Sequence, residues 1–112
     1  MAGSWVLIEE GVVPLRCWWN NPHQKNNHVV LVLPEVFGIN SWVRSVADRL
    51  AGQGIAALAM PLFSRTAPDL ELGYSEEDLA EGRQHKDATT TTQIFTDAST
   101  AIMWLKTTCN HP

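Results

Sequence analysis

The chain has 112 residues, 45% of them hydrophobic and 18% charged, the balance of an ordinary globular protein and enough for one small domain over residues 1–112. Its net charge of -4, with eight Lys and Arg scattered along the sequence, leaves no basic patch for a nucleic-acid partner. No apolar run approaches the ~18 residues of a membrane span. Met1-Ala2-Gly3-Ser4-Trp5 has no basic n-region and no long apolar h-region. No membrane partner and a cytoplasmic location are therefore expected.

Trp5 to Ile8 is a short β-prone run, closed by Glu9-Glu10-Gly11. Val12 to Trp19 is a second, closed by Asn20-Asn21-Pro22-His23, and the glycine-containing turn between them predicts a hairpin. Gln24 to Asn27 reads as a polar loop. His28 to Leu33 is continuously apolar after its first residue, short and rich in β-branched side chains, the pattern of a strand buried on both faces of a parallel sheet. Pro34 ends it, because proline cannot donate to a central ladder.

Asn40 or Ser41 can cap a helix in which Val43, Val46, Ala47, Leu50 and Ala51 form one apolar face, with Arg44, Asp48 and Arg49 on the other side. Gly52 and Gly54 stop it. Ile55 to Met60 is a second buried-strand pattern, so Val29 to Met60 predicts a parallel βαβ unit. Phe63 to Gly73 reads as loop. Ser75 followed by Glu76-Glu77-Asp78 predicts a helix start, with acids where the helix dipole favours them and Gly82 weakening the run toward His85. Thr89 to Thr92 reads as a linker or frayed helix start. Ile94, Phe95, Ala98, Ala101, Ile102 and Leu105 then repeat at helical spacing to about Lys106, and the tail Thr107 to Pro112 is polar. An antiparallel hairpin, a parallel βαβ unit and helices on the faces together predict an α/β protein with a partial open sheet.

Several residue types carry little chemistry. Cys17 and Cys109 fit no zinc or CxxC spacing and read as free thiols. His23, His28, His85 and His111 show no ligand spacing, so no metal site is expected. The five tryptophans, Trp5, Trp18, Trp19, Trp42 and Trp104, read as core or interface bodies.

One segment stands apart. Pro34-Glu35-Val36-Phe37-Gly38-Ile39-Asn40 puts a carboxylate directly after a buried parallel strand, where ligands bind in open α/β sheets. On its own, a glutamate there fits a solvated loop as well as a site. The segment resembles the Gln-Glu-Ile-Phe-Gly-Val-Asn motif of the dienelactone hydrolase family. The resemblance continues through the helix containing Arg44, through Gly52-Gln53-Gly54-Ile55-Ala56-Ala57, and into Leu62-Phe63-Ser64-Arg65 and Ala67-Pro68. A weaker match around Glu81-Gly82-Arg83 and the helix to Lys106 extends it over about Trp5 to Lys106.

The resemblance implies an α/β-hydrolase-type sheet and cleavage of small esters or lactones by a Cys-His-Asp triad, with the thiol in a Gly-x-Cys-x-Gly elbow. It implies no cofactor, since the family's chemistry uses side chains alone. By the motif match, Glu35 takes the role of the glutamate that contacts and helps activate the thiol. The Val36 backbone N–H becomes an oxyanion-hole donor. A family arginine pairs with the substrate carboxylate, and Arg83 is its candidate with Arg65 behind it; a solvated surface arginine is the alternative for both.

The chain also departs from the family. No Gly-x-Cys-x-Gly or Gly-x-Ser-x-Gly occurs in it, and Thr108-Cys109-Asn110-His111 forms no elbow. The elbow and the triad Asp and His would follow the last helix, so the chain reads as the N-terminal portion of such a domain. The family's Pro-Asp after the fourth strand reads Met60-Pro61 here, and no partner tyrosine for the arginine is evident. Without the nucleophile strand, Val29 to Leu33 becomes an uncharged apolar edge, a template for self-association or poor solubility. The alternative reading is a non-catalytic remnant or interaction module completed by another chain.

Overall fold

The computed structural model describes residues 3–23 and 28–109. The elements follow as β1 (Ser4–Ile8), β2 (Leu15–Asn20), β3 (Val29–Val32), α1 (Ser41–Gly52), β4 (Ala56–Ala59), α2 (Glu76–Asp87) and α3 (Thr91–Thr108). The expected loop at Gln24 to Asn27 and the tail's His111 lie outside the described residues. The strands form one mixed sheet in the order β1-β2-β4-β3. β1 and β2 pair as the predicted hairpin, β2 joins β4 antiparallel, and β3 runs parallel to β4 with Val29 opposite Ala56.

Alternation along the strands splits the apolar residues between two faces. One face carries Ile8, Leu15, Cys17 and Leu58, and α3 covers it with Ala101 and Leu105. Burying a leucine such as Leu58 contributes about 2 kcal/mol. On the other face Ala59, Val32, Trp5 and Trp18 meet Val43 of α1 and Ile39 just before it. The tryptophans seat in pairs, Trp5 edge-on to Trp18 at 5.1 Å and Trp19 edge-on to Trp104 at 5.0 Å. Trp42 is the exception: it is exposed and lies under the Arg49 guanidinium.

Five expectations are corrected. The second strand begins at Leu15 rather than Val12, because Ile8 pairs with Leu15 and leaves Glu9 to Pro14 as the connection; Val12 is 76% exposed. Asn20 stays in that strand, its Nδ2 donating to Asp48 Oδ1 at 2.9 Å. Arg44 and Asp48 do not turn away from the sheet. Asp48 also accepts Trp18 Nε1 at 2.9 Å, and the Arg44 guanidinium sits 5.5 Å over Trp5. The threonine run is a sharp helix start: Thr90 Oγ1 accepts Gln93 N–H while Gln93 Oε1 accepts Thr90 N–H, a closed capping box.

The fifth concerns α3. Its sheet side is Ala98, Ala101 and Leu105, whereas Phe95 and Ile102 are exposed. The buried position one turn before Ala101 is held by a charge, Asp97.

β3 and β4 have the same apolar character but different surroundings. β4, flanked by β2 and β3, is buried throughout, while every residue of β3 is half-buried. β3 is the edge of the sheet among the described residues.

Candidate active site

The loop after β3 is built by its own sequence. Gly38 N–H donates to Glu35 O at 3.3 Å, closing a turn over Glu35 to Gly38. Gly38 has φ +79, and a Cβ there would lie 2.1 Å from the Leu70 carbonyl oxygen, so both backbone conformation and space demand glycine. Phe37 accepts the Leu72 N–H at 2.8 Å through its carbonyl and packs edge-on against Tyr74 at 4.7 Å.

Asn40 joins three structures. Its Oδ1 accepts Val43 N–H and caps α1, as expected of Asn40 or Ser41. Its Nδ2 donates to Leu72 O at 3.0 Å and to the Tyr74 hydroxyl at 3.1 Å. Arg44 adds an ion pair to Glu71 and a bond to Ile39 O. The segment from Glu71 to Tyr74 is thus tied to the motif from Phe37 to Arg44.

α2 then lies across the carboxyl ends of the two parallel strands. Gly82 packs on Val36, which follows β3. His85 bonds Thr66 Oγ1 at 2.9 Å through Nδ1 and stacks on Phe63, both of which follow β4. The helix expected to weaken at Gly82 continues unbroken to Asp87.

Within this frame the residues singled out in the sequence separate. Glu35 is exposed at the end of β3. The Val36 N–H donates to no group among the described residues. Arg83 is exposed and follows the glycine seated on Val36. Arg65 is engaged elsewhere: its two terminal nitrogens hold Asp97 at 2.9 and 3.1 Å, a bidentate pair fixing the loop after β4 to α3. Sequence reasoning missed Asp97. The available signal was its spacing, four and eight residues before the core-facing Ala101 and Leu105.

The thiols take no part here. Cys17 is fully buried in β2, and burial, with the nearby Asp97 charge behind it, pushes its thiol up to about 12. Cys109 caps the end of α3, its N–H donating to Leu105 O at 2.9 Å, and forms no strand–helix elbow. No group of three metal-ligating side chains occurs among the described residues. A cavity of about 10 Å³ beneath Gly38 and Ile39, lined also by Trp5, Arg16 and Leu70, has room for about one water. Glu35, Val36 and Arg83 are not among the residues lining it. No helix among the described residues is long and apolar enough to cross a membrane.

Comparison with known proteins bears on these residues. A Synechocystis protein described as a carboxymethylenebutenolidase is 39% identical over 82 residues, covering 73% of this chain and 33% of its own length. The carboxymethylenebutenolidase of Pseudomonas putida is 33% identical over 67 residues, covering 60% and 26%. A Klebsiella pneumoniae crystal structure described as a dienelactone hydrolase superposes with a TM-score of 0.67 at 20% identity. It covers 91% of this chain and 42% of that one, a likeness of fold. The chain thus spans between a quarter and a third of the length of the curated relatives it matches. The model of the dienelactone hydrolase family matches residues 15–111, and the chain belongs to that family.

Proposed function

We propose that this chain supplies one wall of the active site of a hydrolase acting on small carboxylic esters or lactones. The observation carrying this reading is the turn after β3. It leaves the Glu35 carboxylate exposed at the end of a parallel strand and the neighbouring Val36 N–H without a partner among the described residues.

The chemistry follows from those groups. An unbonded backbone N–H is a fixed donor for the oxygen that becomes negative when a nucleophile adds to an ester carbonyl. A carboxylate beside that point can hold a thiol's proton or accept it as the thiolate forms. The exposed Arg83 guanidinium suits a substrate carboxylate, whereas Arg65 is held by Asp97. The attacking thiol and its histidine come from outside these 112 residues, since no elbow sequence lies within them. The chain is in this reading the N-terminal part of a larger hydrolase domain and does not turn over ester by itself.

The test is a chromogenic ester, p-nitrophenyl acetate, offered to the chain alone and to a fusion of the chain with the remainder of the Synechocystis relative. Turnover by the fusion and none by the chain is expected. Turnover by the chain alone that persists in Glu35→Ala would refute the assignment.

The β3 edge favours a second reading, an interaction module. Its half-buried Val29 to Val32 carry no charge and pair with no further strand among the described residues, so this edge would also take up a second copy of the chain.

A further inference from the structure

Gly82 stands in the middle of α2, where glycine costs about 1 kcal/mol relative to alanine. It is also the buried residue of an otherwise half-buried or exposed, strongly acidic helix. A methyl group at Gly82 would lie 2.4 Å from the Val36 carbonyl oxygen and 3.0 Å from both Val36 C and Val36 Cβ. The nearest obstacle is backbone, so no side-chain rotation relieves it.

Val36 lies between two peptide planes. In the first, Glu35 O is drawn into the turn by Gly38 N–H at 3.3 Å. Peptide planarity sends the Val36 N–H of that plane the opposite way, out of the turn. In the second, the Val36 carbonyl seats against the bare backbone of Gly82. One plane is thus held from inside the turn and the other from α2.

We propose that Gly82 is a positioning residue for this site: its missing side chain lets α2 clamp the Val36–Phe37 peptide, which fixes the direction of the Val36 N–H and keeps Arg83 beside it. The assignment of a role to that N–H rests on the hydrolase reading; the clamp itself does not. α2 has few other anchors, chiefly the His85 contacts to Thr66 and Phe63, so one added methyl moves the helix and the peptide beneath it.

The experiment follows backbone amide resonances of the whole chain in the parent, Gly82→Ala, His85→Leu and Gly52→Ala, each titrated with phenylacetate as a carboxylate probe. Gly52 has open space around it and serves as the control. Gly82→Ala is expected to shift the Val36 and Phe37 amides while the β1 and β2 amides stay in place. Phenylacetate binding read at Val36 should weaken about tenfold, the scale of one lost hydrogen bond to the probe. His85→Leu loosens the same helix but keeps the glycine seat, so it should leave Val36 and Phe37 unmoved. Unmoved Val36 and Phe37 amides in Gly82→Ala overturn the proposal, as does an equal displacement in His85→Leu. If Gly82→Ala fails to fold, displaced Val36 and Phe37 amides in His85→Leu still overturn the proposal. If the parent Val36 amide ignores phenylacetate while Gly82→Ala still displaces it, the clamp stands and the hydrolase reading falls.

Discussion

Asp97 and Arg65 show how residue environments set energies. Asp97 is 2% exposed at its side chain and Arg65 21%, so the two partners are not equivalent. Removing the arginine strands a carboxylate that water barely reaches; removing the carboxylate's charge leaves a guanidinium that can rehydrate. Chemical denaturation should therefore show Arg65→Met losing about 3 kcal/mol and Asp97→Asn about 1 kcal/mol. The reverse order would mean the pair is not buried as described.

Cys17 adds a pH dependence whose sign follows from its raised value. The folded thiol ionises at about 12 and the unfolded one at 9.0. Its contribution to stability is complete below pH 9 and is lost as pH rises toward 12, because the unfolded chain releases the proton first. Cys17→Ala should lose less stability than the parent over that window in denaturant melts; parallel curves would contradict it. Glu35 was legible at this scale, because a carboxylate after an apolar β-branched run is a local pattern. Asp97 was not, because its partner lies 32 residues away.

Among the elements, the two parallel strands are the most instructive. Their short apolar runs and flanking prolines marked both as sheet interior. The order β1-β2-β4-β3 puts one in the interior and the other at the edge. Sequence periodicity cannot make that distinction, because strand neighbours are chosen by long-range pairing. The family resemblance supplied it, through the strand that Val29 to Leu33 would otherwise adjoin. β3 carries no charge or bulge to deter pairing with another chain. Concentration-dependent association is therefore expected in sedimentation velocity, and Val30→Lys, which puts a charge on that edge, should return the chain to monomer. A monodisperse parent at all concentrations would sink this expectation. Local chemistry likewise misjudged the threonines: Thr90 to Gln93 is a capping box in sequence as well as in structure, but a run of four β-branched residues hides it.

At the scale of the whole molecule, the chain presents a three-layer α/β unit with the candidate site residues Glu35 and Val36 at the end of β3. Glu35, the Val36 N–H and Arg83 were all singled out from the motif and its resemblance. What holds them together was not legible. Gly82 looked like a helix defect because the atom it accommodates, the Val36 carbonyl oxygen, belongs to a loop 46 residues earlier, as the positions 36 and 82 show. Tyr74, likewise unassigned, closes on Phe37 and Asn40 from the far side of the βαβ unit. Such contacts depend on how the crossover returns the chain to the strand ends, which no local window contains. The most direct test of the account is kcat/KM for p-nitrophenyl acetate in the fusion with the Synechocystis remainder, compared between parent and Glu35→Gln. A drop of about 100-fold, the scale of a lost proton-handling group, is predicted; an unchanged kcat/KM would contradict the placement of Glu35 in the site.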